Sequence, residues 1–130
     1  MNCPARDIVT ILESSEFGIG TFAQDLFISR EPTTPENCIT IYDTGGFEPE
    51  TGYDYNKPTV QVRVRNQGYE TGWALINSIK AALHGSHGDV IGGARYIGIW
   101  AMSDIAHIGY DTNNRALFTI NFRIHRTTNP

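Results

Sequence analysis

The stretch "PTVQVRVRNQGYETGWALINSIKAALHG", residues 58–85, decides the fold class of this chain. Residues 58–66 alternate between apolar and polar side chains, which is typical of a strand with one buried face. The residues that follow repeat apolar side chains at helical spacing and end at Gly85, which predicts an amphipathic helix over 69–84. The strand places Val60, Val62 and Val64 on its apolar face, and the helix places Leu75, Ile76, Ile79, Ala82 and Leu83 on its own.

Shorter patterns extend this unit in both directions. "PARDIVTILES" at 4–14 predicts an N-terminal helix, and strands are predicted over 22–29 and 38–43. Residues 44–58 are rich in Gly, Pro, Asp and Tyr and predict a long loop between the second and third strands. Strands at 94–102, 105–111 and 116–126, joined by short connections, predict an antiparallel meander. We therefore expect an α+β fold with a mostly antiparallel sheet and two helices packed on one face, forming one domain over residues 1–130.

The other face of the central strand carries Gln61, Arg63 and Arg65. A polar sheet face meets either water or a polar protein surface, and we expect the two arginines to pair with carboxylates of a neighbouring molecule. The loop that includes Asp43, Phe47, Tyr53 and Tyr55 combines acidic and aromatic residues and could be the complementary patch. On this hypothesis, Arg63→Glu or Arg65→Glu prevents assembly while the monomer stays folded.

Composition limits the function further. The formal net charge of −4 argues against a free-standing duplex-DNA binder, although it suits a wall past which DNA slides. Cys3 and Cys38 show no metal-binding spacing, and the first fifteen residues lack the pattern of a signal peptide, so we expect reduced thiols in a protein made in a cytoplasm. No window is long and apolar enough for a membrane span, and we expect no membrane partner.

Two short patterns could indicate a catalytic or a metal site, and both also have structural interpretations. "DTG" at 43–45 is the triplet of aspartic proteases, so Asp43 could be a catalyst in a homodimer, or its carboxylate could accept backbone N–H groups while Gly45 and Gly46 supply positive φ angles. His84, His87 and Asp89 lie close in sequence, but a fourth definite zinc ligand is missing. We expect the structural roles, no enzymatic activity, no metal and no cofactor.

Residues 42–83 resemble the tail terminator and minor capsid (head–tail joining) proteins of long-tailed bacteriophages. The resemblance rests on a D-T-G-G segment, a loop with Pro and Tyr, P-x-V-Q-V-R-V-R, and a helix that starts near Tyr69 and ends near Leu83. "FTINFRIHR" at 118–126 is similar to the closing strand of that family, while Trp73 stands where smaller residues are usual. The matching positions are Asp43, Thr44, Gly45, Gly46, Pro58, Val60, Gln61, Val62, Arg63, Val64, Arg65, Tyr69 and Leu83.

The resemblance implies a structural virion protein rather than an enzyme. Such proteins form rings, usually hexamers, at the head-proximal end of the tail tube, where they end tube polymerisation and face the head-completion proteins. The implied partners are other copies of the chain, the tail tube protein and a connector protein, with DNA passing through the lumen without sequence-specific binding. The implied location is the head–tail junction of the virion, after synthesis in the cytoplasm of a bacterial host.

Overall fold

The computed structural model describes residues 1–52 and 54–128, except for the side chain of Ser86. Within these residues, helices α1 (Pro4–Glu13) and α2 (Tyr69–Leu83) pack on one face of an eight-stranded sheet, which confirms the α+β class. The strands are β1 (Leu26–Ile28), β2 (Cys38–Phe47), β3 (Lys57–Asn66), β4 (Gly85–Ser86), β5 (Val90–Ile91), β6 (Ala94–Ala101), β7 (Ala106–Tyr110) and β8 (Ala116–Thr127). None of the helices in the described part of the chain has the length and apolar character that a membrane crossing requires.

The sheet is mixed rather than mostly antiparallel. Its order is β1-β2-β3-β8-β6-β4, with β5 on β6 and β7 on β8. β1 runs parallel to β2, pairing Leu26 with Ile39, whereas the other pairings between these named strands are antiparallel. The parallel pair arises because the Pro-rich connection 29–37 carries the chain back before β2 begins. β1 is also shorter than predicted, since Ala23 adopts a φ of +67° that turns the chain before Leu26.

The last three strands do not form the predicted meander. One edge of β8 pairs with β3 along residues 116–123, and its other edge pairs with β7 at residues 116–119 and with β6 at residues 122–127. β6 and β7 therefore lie end to end along one edge of β8. The prediction failed because β8, with 12 residues, is long enough to hold two partners in succession.

The core lies between the helices and the inner face of the sheet. Val60, Val62 and Val64 are fully buried, as their alternation predicted. Phe118 and Phe122 of β8 lie beside them, opposite Val64 and Val60. Burying each such apolar side chain contributes about 1.5–3 kcal/mol, so this inner face holds both helices in place. Other core members are Ile8, Leu12, Ile39, Ile41, Ile76, Ile79, Leu83, Ile99, Ile120 and Ile124.

The long loop between the second and third strands is present but shorter than predicted. β2 continues through the Asp-Thr-Gly-Gly segment to Phe47, and β3 begins at Lys57, so the connection covers residues 48–56. The register shifts between Asp43 and Gly46, where Gly46 has a φ of +144°. A Cβ at Gly46 would lie 2.5 Å from the Lys57 carbonyl oxygen, so the strands can approach this closely only at a glycine. We call residues 44–58, the tip of this β2–β3 hairpin, the arm.

Candidate functional site

Asp43 caps a helix from a neighbouring strand. The backbone N–H of Ala5 donates a hydrogen bond of 2.9 Å to Asp43 Oδ1, whereas the N-cap residue Cys3 makes no side-chain cap hydrogen bond. A carboxylate at this position satisfies a free N–H group and interacts favourably with the positive end of the helix dipole. Asp43 therefore accepts a backbone N–H, as the structural interpretation predicted, although it lies in β2 and not in a turn.

We expect Asp43→Ala to lower the free energy of unfolding by about 1 kcal/mol, because the Ala5 N–H loses its acceptor. Asp43→Asn keeps an oxygen acceptor and should retain most of this stability. Urea unfolding of the three proteins measures both effects. Equal losses in the two variants would contradict the capping role and leave only the charge as the stabilising feature.

No observation favours the protease alternative. The Asp43 carboxylate accepts from α1, and the Thr44 hydroxyl lies 2.7 Å from the hydroxyl of Thr59 on β3. An aspartic protease needs a second carboxylate about 3 Å from the first, so that the two share one proton. Among the hydrogen bonds of the described residues, none joins Asp43 to another carboxyl group. The triplet holds α1 and the base of the arm in place.

The arginines of β3 are paired within the chain, which corrects the expectation that they reach a neighbour's carboxylates. Arg65 Nη1 lies 3.2 Å from Glu31 Oε1, and Arg63 Nε lies 2.8 Å from Glu31 Oε2. Arg65 also donates to three carbonyl groups of the connection before β2, those of Thr33, Pro35 and Glu36. It is only 3% exposed, whereas the Arg63 side chain is 30% exposed.

The connection 29–37 therefore covers one end of the polar sheet face. Arg115, just before β8, donates from Nη1 to the same Thr33 carbonyl at 2.9 Å. Thr40 of β2 is fully buried beneath this cover. The part of the face that stays accessible lies further along, at Gln61, Asn121 and Arg123.

The structure separates the predicted interface residues into two groups. Phe47 pairs with Lys57 at the arm end of the hairpin, while Arg65 pairs with Cys38 at the other end. The eight residue steps along the strand from Lys57 to Arg65 correspond to about 26 Å. Phe47 is 51% exposed at the arm. Tyr53 lies outside the described residues, so its predicted role is not placed.

Tyr55 belongs to a small aromatic cluster on the arm side of the sheet. Its hydroxyl forms a 2.9 Å hydrogen bond with Nδ1 of His125, and the two rings meet edge to face at 5.4 Å. Trp100 packs edge to face on the other side of His125 at 4.9 Å, and the guanidinium of Arg123 lies 5.7 Å from the Trp100 ring. Rigid aromatic and arginine side chains of this kind anchor protein interfaces.

The cluster makes stability depend on pH. Burial, followed by the positive charges of Arg123 and Lys57, lowers the pKa of His125 below its ordinary value. The histidine ring of the unfolded chain has a pKa of about 6.5, so below that pH the unfolded chain binds more protons than the folded chain. The contribution of His125 to stability is therefore complete above about pH 7 and is lost as the pH falls below about 6.5.

We expect His125→Gln to remove this part of the pH dependence, because glutamine does not titrate. The urea midpoints of wild type and variant, compared at about pH 7.5 and about pH 5.5, give the measurement. The wild type should lose more stability on acidification than the variant. Identical losses in the two proteins would contradict the assignment to His125.

The histidines considered for zinc bind the backbone instead. The Ala101 N–H donates to Nδ1 of His84 at 3.0 Å, and Nε2 of His87 lies 2.8 Å from the Leu83 carbonyl that accepts from it. They border a cavity of about 530 Å³ near the C-terminal ends of α1 and α2. No group of three or more His, Cys, Asp or Glu side chains suitable for a metal ion occurs within residues 1–52 and 54–128.

Comparison with known proteins identifies the family of this chain. A sequence profile described as "Bacteriophage tail terminator protein" matches residues 15–128. The chain belongs to the bacteriophage tail terminator family. The match supports a structural role in phage tails and confirms the resemblance carried by residues 42–83. A search of curated proteins returned no match.

The fold of the terminator is also found in a solved virion structure. A chain in "Virion of native gene transfer agent (GTA) particle" superposes with a TM-score of 0.72 at 12% sequence identity. The match covers 96% of this terminator and 95% of that chain. At this identity the likeness establishes a shared fold alone.

Sequence reasoning missed one prominent surface of the terminator. Trp73, noted only as a departure from the family pattern, is exposed on α2 and packs its ring against Phe118 with centroids 6.2 Å apart. Tyr69 and His107 contact the same Phe118 ring at 5.3 and 5.1 Å. The signal was available, because Tyr69 and Trp73 are four residues apart and therefore share one face of a helix.

Proposed function

We propose that this chain assembles into a hexameric ring at the head-proximal end of the phage tail tube. There it ends tube polymerisation and joins the tail to the head as a non-enzymatic part of the virion. The observation that carries the proposal is the family match, which extends over residues 15–128. Residues 1–130 act as one tail-terminator domain that needs no cofactor.

The arm supplies a surface for such assembly. Phe47 presents an exposed ring, and the hydroxyl of Tyr55 is held by His125. Asp43 supports the arm by joining it to α1. A contact residue that is already ordered loses little side-chain entropy when it binds. We therefore assign Asp43, Phe47, Tyr53 and Tyr55 to the interface with a subunit or partner.

The arginines of β3 divide between two roles in this proposal. Arg63, with a partly exposed side chain, reaches the accessible part of the polar face and can contact a partner. Arg65 binds the connection 29–37 and so holds it over one end of that face. The partners are other copies of the chain, the tail tube protein and a head-completion protein at the head–tail junction. The terminator is made in the cytoplasm of the bacterial host.

The net charge of the chain is consistent with a ring through which DNA passes. A formal net charge of −4 gives no general attraction for phosphate groups, so DNA can pass through a lumen without being held. A protein that must let a genome slide past benefits from this weak affinity. We expect no sequence-specific binding.

The test removes the terminator from the phage that encodes it. A nonsense mutation in its gene should give tails of uncontrolled length and heads without tails in electron micrographs. Supplying the chain in trans should restore both features, and Asp43→Asn should restore them equally well. Tails of normal length attached to heads, without the terminator, would refute the proposed function.

A further inference from the structure

An uncharged strand edge and a set of exposed rings lie together on one side of the molecule. Tyr69 and Trp73 of α2 stand next to His107 and Tyr110 of β7, and we call these four residues the aromatic flank. The rings of Tyr69 and His107 meet at 4.9 Å and those of His107 and Tyr110 at 5.2 Å. Beneath them lies the fully buried ring of Phe118, so the flank is rigid.

The flank has the size and composition of an interface centre. Tyr69, Trp73 and Tyr110 are 41–54% exposed. Three aromatic side chains exposed to this degree present about 300 Å², compared with about 800 Å² contributed by each partner in a standard interface. β7, "AHIGY", contains no charged residue or proline that would protect a strand edge from pairing. A surface of this kind is normally covered by another protein.

The order of the strands places a second exposed surface on the side of the molecule opposite the aromatic flank. β7 lies on one side of β8, and the series β8-β3-β2-β1 ends with β1 on the opposite side of the molecule. A ring of identical subunits needs two different patches on opposite sides, since each subunit contacts the next one head to tail. The β1 side carries the exposed ring of Phe22, with the Arg6 guanidinium 4.5 Å from its centroid.

Residues of opposite charge lie on the two sides. Glu70 is exposed beside Tyr69, and Arg30 is exposed directly after β1. Within the residues that the structure describes, the ion pairs do not include Glu70, Arg6 or Arg30. Opposite charges that form no ion pair among the described residues of the monomer are suited to meet across a contact between copies.

We propose that the aromatic flank of one copy of this chain packs against the β1 side of the next copy, with Phe22, Arg6 and Arg30 as its counterpart. This inference rests on the proposed ring. It leaves the arm free to contact the tube or the head. The flank thereby provides the lateral contact that closes the ring, and the exposed rings of Tyr69, Trp73 and Tyr110 lose their contact with water.

The first experiment compares two glutamate variants of the full chain by light scattering and native mass spectrometry. Tyr110→Glu should shift the protein from the ring to the monomer, because a carboxylate would be buried among aromatic rings. Val90→Glu is the matched control, since Val90 is 52% exposed on another strand, and it should leave the ring intact. Circular dichroism of both variants verifies that the monomer is folded.

The outcomes separate this inference from the proposed function. A wild-type chain that forms no ring, with or without the tube protein, refutes the ring itself. A wild-type ring that persists in Tyr110→Glu, or that is lost equally in Val90→Glu, refutes only the role of the aromatic flank.

The second experiment identifies the counterpart directly. A photoreactive benzoylphenylalanine replaces Tyr110, which keeps an aromatic side chain at the position, and irradiated rings are digested and analysed by mass spectrometry. Cross-links between subunits to peptides that contain Arg6 or residues 21–30 support the proposed packing. Cross-links between subunits to the arm or to any other surface refute it.

Discussion

Asp7→Ala is expected to lower the free energy of unfolding by about 3–5 kcal/mol, because it leaves a buried arginine without its counter-charge. Asp7 is fully buried in α1, and Arg126 of β8 is almost fully buried. Arg126 Nη1 lies 3.5 Å from Asp7 Oδ2. Removal of one partner from such a pair costs more than the pair contributes to stability, since the remaining charge stays out of water.

The neighbours of Asp7 increase the expected loss. The hydroxyl of Tyr96 donates a 2.6 Å hydrogen bond to Asp7 Oδ2, and the side chain of Asn2 donates to Oδ1 at 3.1 Å. Burial, followed by the hydrogen bond to Asp7, raises the pKa of Tyr96, so the phenol remains a donor. Alanine would leave the buried Tyr96 hydroxyl without its acceptor. The Arg126 guanidinium would keep the Asn2 carbonyl and the Tyr96 oxygen as acceptors but would lose its counter-charge. The network joins α1 to β6 and β8, so its loss loosens the helix from the sheet.

A double-mutant cycle tests this explanation. Arg126→Met removes the other charge, and the double variant Asp7→Ala/Arg126→Met should be clearly more stable than the sum of the two single losses implies. Asp7→Asn keeps an oxygen acceptor for Tyr96 and should lose less than Asp7→Ala. Urea unfolding at neutral pH measures the stability of the wild type and the four variants. Additive losses would show that the two charges do not interact.

The periodic elements of this fold were predictable, and the pairing of the short strands was not. β3 and α2 have repeats of period two and about 3.6 that local sequence determines, and both were predicted within about two residues. The course of the chain around β1 and the sharing of β8 by β6 and β7 depend on contacts between distant residues. Gly72 illustrates the limit, since a Cβ there would lie 2.7 Å from the ring of Phe118, which is far away in sequence.

The candidate site was predictable only in its residue types. Alternation along β3 correctly placed Arg63 and Arg65 on the face opposite the valines. It could not reveal that their carboxylate belongs to Glu31, because the connection 29–37 is irregular and its position follows from tertiary contacts. Asp7 was missed for a similar reason. An acidic residue in the first turn of a helix usually interacts with the helix dipole at the surface, and its partner Tyr96 is 89 residues away.

Arg65→Ala is expected to destabilise the terminator by about 3–5 kcal/mol, whereas Arg63→Ala should cost less than about 1 kcal/mol. Arg65 is buried, and it is bound to Glu31 and to the carbonyl groups of Thr33, Pro35 and Glu36. Its removal would take the donor away from several partly buried carbonyl groups and would release the cover over one end of the sheet. Arg63 is partly exposed and makes its ion pair in contact with water.

The two arginines therefore give different results in the assembly experiment. Arg65→Glu would place a second carboxylate beside Glu31 in a buried site, so the monomer itself should unfold, contrary to what the sequence suggested. Arg63→Glu should leave a folded monomer, and only this variant can report on a contact with a partner. Arg65→Lys is the control for charge alone, because lysine keeps the positive charge but cannot reach three carbonyl groups in a fixed plane. Full stability of Arg65→Lys in urea would contradict the role of these hydrogen bonds and leave the ion pair with Glu31 as the stabilising contact.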